Sequence, residues 1–234
     1  MIMPNWASST VTISGDYKTI QEIKTRLSTP YPSVWNGTKD WNGEIINSTV
    51  TGDFLCWNII KPDNLDLYLE KEDKAFQEIV RENNLNELDT RTDEEKLASL
   101  SMESITAEVI EKMATGMGWY EWNCRNWGTK WETSGDSSML ESELPNLEGG
   151  TTLVYRITSA WSPPAEALEN LAKQYPNISI SLVSIDENDC FACEGEWSNG
   201  VGDVYDVEIT HELGMELRDY CNLECCNDYG DDDE

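Results

Sequence analysis

From Ser9 to Ser14 the chain alternates, Ser-Thr-Val-Thr-Ile-Ser, and a period of two with β-branched residues predicts a strand. Gly15-Asp16 ends it. The period then lengthens: Ile20, Ile23 and Leu27 recur at helical spacing behind Asp16, which can cap the first turn. Residues 30–49 are rich in Pro, Gly, Asn and Ser and read as loop. Phe54 to Ile60 predicts a second strand, stopped by Pro62. Residues 61–117 change character, becoming charged and Leu-rich. Phe76, Ile79 and Val80 make one helical stripe, and Ile105, Val109, Ile110 and Met113 make another. This segment reads as a helical insertion.

Trp119 to Trp131 is an aromatic cluster, and residues 133–150 read as loop. Thr151 to Ser159 predicts a strand. Ser162-Pro163-Pro164 then opens a helix, with Ser162 as cap and Pro163 in the first turn. Leu168, Leu171, Ala172 and Tyr175 form its apolar face. Strands are predicted over Ile178–Ile185, Phe191–Trp197 and Val204–Ile209, the last two joined by Ser198-Asn199-Gly200. A short helix follows over His211–Tyr220, and the tail Asp-Tyr-Gly-Asp-Asp-Asp-Glu reads as disordered. This order predicts an α+β fold, a mainly antiparallel sheet with helices on one face and no internal repeat. Residues 1–60 and 118–210 form the core, 61–117 the insertion, and 211–234 an acidic helix and tail.

Charge changes the picture. The chain of 234 residues holds 45 acidic and 16 basic side chains, a net of -29. Asp186 to Glu234 holds 17 acids and one base, Arg218, whereas residues 1–60 hold five acids and four bases. The insertion, 61–117, is acidic but mixed, with 15 acids and seven bases. Folding does not require such asymmetry, because like charges repel in the compact state. A pI near 4.1 argues against direct binding to DNA, RNA or anionic membrane. It favours a partner that itself binds polyanions. Ten Trp and nine Tyr supply enough apolar surface for a core. No stretch has transmembrane length, and Met1-Ile2-Met3-Pro4 carries no signal pattern. Seven cysteines then read as cytosolic thiols, and the sequons at Asn36 and Asn177 carry no meaning there.

Candidate chemistry is sparse. Cys190-x-x-Cys193 with Cys221-x-x-x-Cys225-Cys226 would suit zinc in donor type, but the second spacing is irregular and a strand separates neighbouring side chains. Buried or free thiols are the default, and no metal or cofactor is expected. His211, the single histidine, has no nucleophile and acid around it and reads as a solvated helix-start residue. No P-loop, dinucleotide fingerprint or metalloprotease helix occurs. A metal-dependent nuclease would have to hold a polyanion against this surface, so no enzyme is expected. The Trp cluster has no single period and only Arg125 and Lys130 beside it, which favours packing over base stacking.

The acidic segment has a geometric reading. If the apolar faces of the last two strands share one side, Glu194, Glu196, Asp206 and Glu208 share the other. Residues two apart on a strand are about 6.6 Å apart, which makes a regular anionic array. Asp186, Glu187 and Asp189 extend it at one end, Asp203 lies in the same hairpin, and Glu212, Glu216 and Asp219 extend it along the helix. These eleven residues are the candidate partner-binding set. Such an array suits a nucleic-acid mimic whose carboxylates stand in for phosphates. The net charge is well beyond the magnitude of about 2–8 that solubility needs in a small domain.

Pro4-Asn5-Trp6 with Thr10-Val11-Thr12-Ile13-Ser14-Gly15 resembles the opening of the YubB-type ferredoxin-like domain family. Asn126-Trp127-Gly128-Thr129-Lys130-Trp131 resembles its central motif, and Ala160-Trp161-Ser162-Pro163-Pro164 with Tyr175-Pro176 its third. Ala7 stands where the family often has a polar residue or Cys. The likeness covers the N-terminus and roughly residues 118–200. It implies a ferredoxin-like fold and a home on phages or conjugative plasmids, without a catalytic mechanism. The expected function is inhibition, in the host cytoplasm, of a host nucleic-acid-binding defence complex of restriction or CRISPR type. The expected partner is a protein with a basic cleft, and neither nucleic acid nor membrane is bound directly. An interaction module using the Trp-rich surface, or a metal-dependent enzyme, is the alternative.

Overall fold

The alternation that begins at Ser9 runs further than its β-branched centre. The computed structural model describes residues 5–39, 42–69, 118–134, 138–142 and 150–222. In it β1 spans Trp6–Asp16, with Ala7, Ser9, Val11 and Ile13 buried on one face. Helix α1 (Tyr17–Leu27) follows directly. Asp16 caps it by accepting from the Thr19 N–H at 3.1 Å, and Ile20, Ile23 and Leu27 are buried as their spacing predicts. A two-residue pair, β2 (Tyr31–Pro32) with β3 (Thr49–Val50), closes the loop read over residues 30–49.

Phe54 to Ile60 is not a strand. Phe54, Leu55, Cys56 and Ile59 are buried, but Cys56–Asn58 forms a 3-10 turn. Its donors go elsewhere: the Glu132 carboxylate accepts from the N–H groups of Cys56 and Trp57 at 2.6 and 3.1 Å. A buried backbone N–H must be paired, and a side chain here supplies what a neighbouring strand would.

The chain divides into two compact units, residues 1–61 with 123–234, and residues 62–122. In the second, α2 (Leu65–Leu69) carries Tyr68, which meets the Trp122 ring edge-on at 5.7 Å. The stripes predicted over Phe76–Val80 and Ile105–Met113 lie outside the described residues, as does the tail from residue 223. Helix α3 spans Trp119–Asn126.

The remaining elements are β4 (Ser138–Ser142), β5 (Gly150–Ala160), α4 (Ala165–Gln174), β6 (Ser179–Asp186), β7 (Ala192–Ser198), β8 (Val201–Asp206) and α5 (His211–Arg218). They build a six-stranded sheet in the order β4-β5-β1-β6-β7-β8, antiparallel throughout. The fold is α+β. Strand β4 corrects the loop reading of residues 133–150; five residues paired to the long β5 need no strong pattern of their own. Helix α4 starts later than Ser162. A residue before proline avoids helical backbone, so Pro163 cannot be helical ahead of Pro164. The Ser162 hydroxyl is thereby free to donate to the Gly128 carbonyl instead of capping.

One sheet face is buried. Val11 pairs with Tyr155 on one side and Leu182 on the other, and Ile13 with Leu153 and Ile180, so a continuous apolar stripe crosses the central strands. Ala167, Leu168, Leu171 and Ala172 of α4 are buried with it. Arg26 of α1 donates to Gln174 and to the Tyr175 hydroxyl at the end of α4, at 2.7 and 3.3 Å, which places both helices on this face. Two helices of about 10 Å diameter cover roughly four strands at 4.8 Å spacing. Helix α4 also reaches the β7–β8 hairpin, whose turn residue Gly200 lies beside Ala172 and Lys173.

Candidate functional site

The turn Asn199-Gly200 decides the geometry of the acidic hairpin. Both residues have positive φ, 55° and 78°, which suits a two-residue hairpin turn. Ser198 therefore pairs with Val201, Glu196 with Asp203, Glu194 with Tyr205, and Cys193 with Asp206. Directly paired residues share a face. The expected set of Glu194, Glu196, Asp206 and Glu208 does not form. Glu194, Glu196 and Asp203 share the outer face, Asp206 points to the helix-covered side, and Glu208 lies beyond the end of β8. Matching apolar to apolar residues suggested the other parity; the number of residues in the turn overrules it. On the outer face Glu196 stands directly across from Asp203, an unfavourable pairing of like charges. The Tyr205 hydroxyl donates to Glu194 Oε2 at 3.1 Å, which raises the tyrosine pKa.

Asp186, Glu187 and Asp189 turn inward rather than extending the array. Asp186 is 1% exposed and accepts from the N–H groups of Asn188 and Cys190 at 2.9 and 3.2 Å. Glu187 accepts from the Trp6 N–H at 3.0 Å. Asp189, in left-handed backbone, lies 2.7 Å from Arg218 Nη2, and Arg218 Nη1 donates to the Asp186 carbonyl at 2.6 Å. The Arg218 side chain is 1% exposed. The one cation of residues 186–234 is thus spent on internal structure. Among the described residues of this segment, the acids at the surface are Glu196, Asp203, Asp206, Glu208, and on or after α5 Glu212, Glu216 and Asp219, with Glu194 half-buried. His211 is exposed at the start of α5, behind the cap Thr210.

The sequence motifs around Asn5, Asn126 and Ala160 meet in space. The Trp161 N–H donates to the Asn5 carbonyl at 2.8 Å, and the Thr129 hydroxyl bridges to the carbonyl and N–H of Ala160 at 2.9 and 3.1 Å. Trp127 is 2% exposed, donates its indole N–H to the Ile60 carbonyl at 3.0 Å, and meets Trp57 edge-on. Packing accounts for it. Trp131 and Trp161 differ, at 37% and 40% exposed. Lys130 Nζ lies 4.7 and 4.4 Å from their ring centres, a cation held between two aromatic faces. Trp161 has φ 75°, rare for a bulky side chain, and sequence reasoning had no signal for it.

A cavity of about 590 Å³ opens between this cluster and the hairpin. Trp161, Pro163 and the first turns of α4 form one wall, Cys193, Trp197, Gly202 and Asp206 the other. The Trp197 ring lies across Gly195 and Gly202, where an added Cβ would meet it at 2.7 and 2.5 Å. Four acidic residues line the cavity, Glu166, Glu169, Asp203 and Asp206, of which Asp203 has its side chain on the outer face, and no basic residue does. Glu166 Oε2 lies against Gly128. Burial there raises the Glu166 pKa, against a hydrogen bond from its own N–H, and the Glu169 charge adds to the rise. Burial, then Asp206, pushes the Cys193 thiol up to about 11, so the wall is a neutral thiol near pH 7. Cys190 is exposed while Cys193 is buried on a strand; Cys225 and Cys226 lie outside the described residues. Among the described residues no three of His, Cys, Asp and Glu are placed to hold a metal, and no helix is long and apolar enough to cross a membrane.

No protein-family model and no curated protein matches the chain. Among solved structures, protein api92 from Yersinia pseudotuberculosis, of the DUF1281 family model, is similar at 11% identity and a TM-score of 0.42, over 88% of this chain and 99% of that one.

Proposed function

We propose that this chain is a non-enzymatic phage or plasmid protein that inhibits a host nucleic-acid-binding defence complex, of restriction or CRISPR type. It acts in the host cytoplasm, and its carboxylates occupy the partner's basic cleft in place of phosphates. On the same reading its core is a ferredoxin-like unit of the YubB kind. The succession β1, α1, β4, β5, α4, β6 with sheet order β4-β5-β1-β6 supports that. The observation that carries the functional reading is the disposition of charge: residues 186–234 hold 17 acids and one base, and that base is buried. The outer face of β7–β8 offers Glu194, Glu196 and Asp203 on rigid backbone, with Glu208 and the acids of α5 following. A cation between Glu196 and Asp203 would relieve their repulsion, so binding gains what folding forgoes.

The test is displacement of labelled duplex DNA from purified restriction and CRISPR effector complexes, at low and high salt. The chain is expected to displace DNA from its target, with an affinity that falls steeply as salt rises. The triple variant Glu194→Lys, Glu196→Lys and Asp203→Lys, with folding checked by circular dichroism, should compete at least about tenfold less well. Equal competition by the variant, or displacement indifferent to salt, sinks the mimicry. The half-exposed Trp131 and Trp161 favour a second reading, a protein-interaction surface, for which Trp131→Ala would matter more than charge reversal.

A further inference from the structure

The cavity beside α4 is separate from the outer acidic face, and its lining is specific in a different way. We infer that it is a receptor for an arginine side chain presented by a protein partner. Three features combine. The space, about 590 Å³, lies within the size range of ligand pockets. Its walls include two indoles, Trp161 at 40% exposed and Trp197 buried at 3%, and a planar guanidinium stacks on an open face such as that of Trp161 better than a hydrated ammonium does. Its acidic side chains are Glu166, Asp206 and Glu169, the last paired with Lys173 at 2.6 Å, so Glu166 and Asp206 are the ones left to meet an incoming cation.

The charge is complementary to one ligand class. A guanidinium can pair with a carboxylate through two parallel N–H donors while its flat face lies on an aromatic ring. Glu166 on α4 and Asp206 on β8 contribute from opposite walls, so a cation entering between them meets carboxylates on both sides. The Trp161 ring already takes a cation in this fold, Lys130 Nζ at 4.4 Å. Trp197 is held in place because Gly195 and Gly202 leave room for its ring, and so forms a fixed wall. The raised Glu166 pKa fits a carboxylate that gains from an incoming positive charge. Asp203 and Asp206 border both sites, but Glu166 and Trp161 belong to the cavity alone and Glu194 and Glu196 to the outer face alone, so either reading can fail alone.

The probe is the tripeptide acetyl-Gly-Arg-Gly-amide, titrated into the full chain, with the indole N–H resonances of Trp161 and Trp197 followed by NMR. Saturable shifts of both are expected, with a midpoint of roughly 1 mM, as befits one side chain. The citrulline counterpart, which has the shape without the charge, should bind at least about tenfold more weakly. The variant Glu166→Gln with Asp206→Asn should lose binding while its remaining spectrum stays native. No saturable shift up to roughly 20 mM overturns the inference. Equal binding of citrulline, or unchanged binding by the double variant, also overturns it. Spermidine binding as tightly as the tripeptide at these indoles would overturn the assignment to a protein side chain and point to a free polyamine.

Discussion

Glu132 holds together parts of the chain that are far apart in sequence. Its carboxylate accepts from the N–H groups of Cys56, Trp57 and Thr133 at 2.6, 3.1 and 3.2 Å, and from the Tyr31 hydroxyl at 3.0 Å. Burial raises its pKa, and these donors pull in the opposite direction. Removing the carboxylate leaves two backbone donors of the 3-10 turn unpaired, each costing about 1–3 kcal/mol. Glu132→Ala is therefore expected to lower stability by roughly 2–4 kcal/mol in urea unfolding, and Glu132→Gln by less, since an amide oxygen still accepts. A loss of under roughly 0.5 kcal/mol for Ala would show that water replaces the carboxylate at no cost. Nothing in the sequence marks Glu132 for this role. A polar residue whose long-range partners lie 75 to 101 positions away has no local pattern, unlike Asp16, whose capped N–H is three residues on. The same holds for Asp186, Glu187 and Asp189, which look like the other acids in sequence and differ only in what folds over them.

At the scale of elements, strands and helices with their own periodicity were legible: β1, α1, β5, α4, β6 and β7. Those that depend on a neighbour were not. The short β4 exists because β5 offers an edge, and the apolar run at Phe54 lost its strand to a carboxylate. The parity of the acidic hairpin was legible but misread; counting outward from Asn199-Gly200 pairs Glu196 with Asp203 without any structure. Gly202 is the hairpin's tightest point. A Cβ there would meet the Glu196 carbonyl at 2.1 Å and the Trp197 ring at 2.5 Å. Backbone cannot yield as a flexible side chain can, so Gly202→Ala is expected to cost about 2 kcal/mol or more and to loosen β8 from β7. Hydrogen exchange would record this as lost protection in β8 with β1 and β5 unchanged. Protection kept across β8 would mean that the strands part locally at little cost.

For the whole molecule, charge sets the conditions under which the fold is most stable. Glu132 and Glu166 titrate in the unfolded chain near 4.5, and in the folded protein both are raised. Between the two values the folded state binds more protons, so stability is greatest below the ordinary value and falls as pH rises through the raised one. Asp16 works the other way: its side-chain hydrogen bond with Thr19 lowers its pKa, and its contribution is lost only as pH falls. Self-repulsion at a net charge of -29 adds to the first trend, because every further ionisation adds to the same sign. Above the ordinary thiol value of 9.0, buried Cys56 and Cys193 favour the folded state less as well. The melting temperature is therefore expected to be higher at about pH 5.5 than at about pH 8, by a few degrees. Raising salt from roughly 50 to 500 mM should raise it more at the higher pH, since screening acts on repulsion between exposed charges. Calorimetry over these four conditions decides it. A melting temperature that rises with pH, or that salt leaves unmoved, would mean that the carboxylates are neutralised within the fold. An acidic surface already neutralised would have little charge to offer a basic cleft, so the same experiment bears on whether this surface can act as a mimic at all.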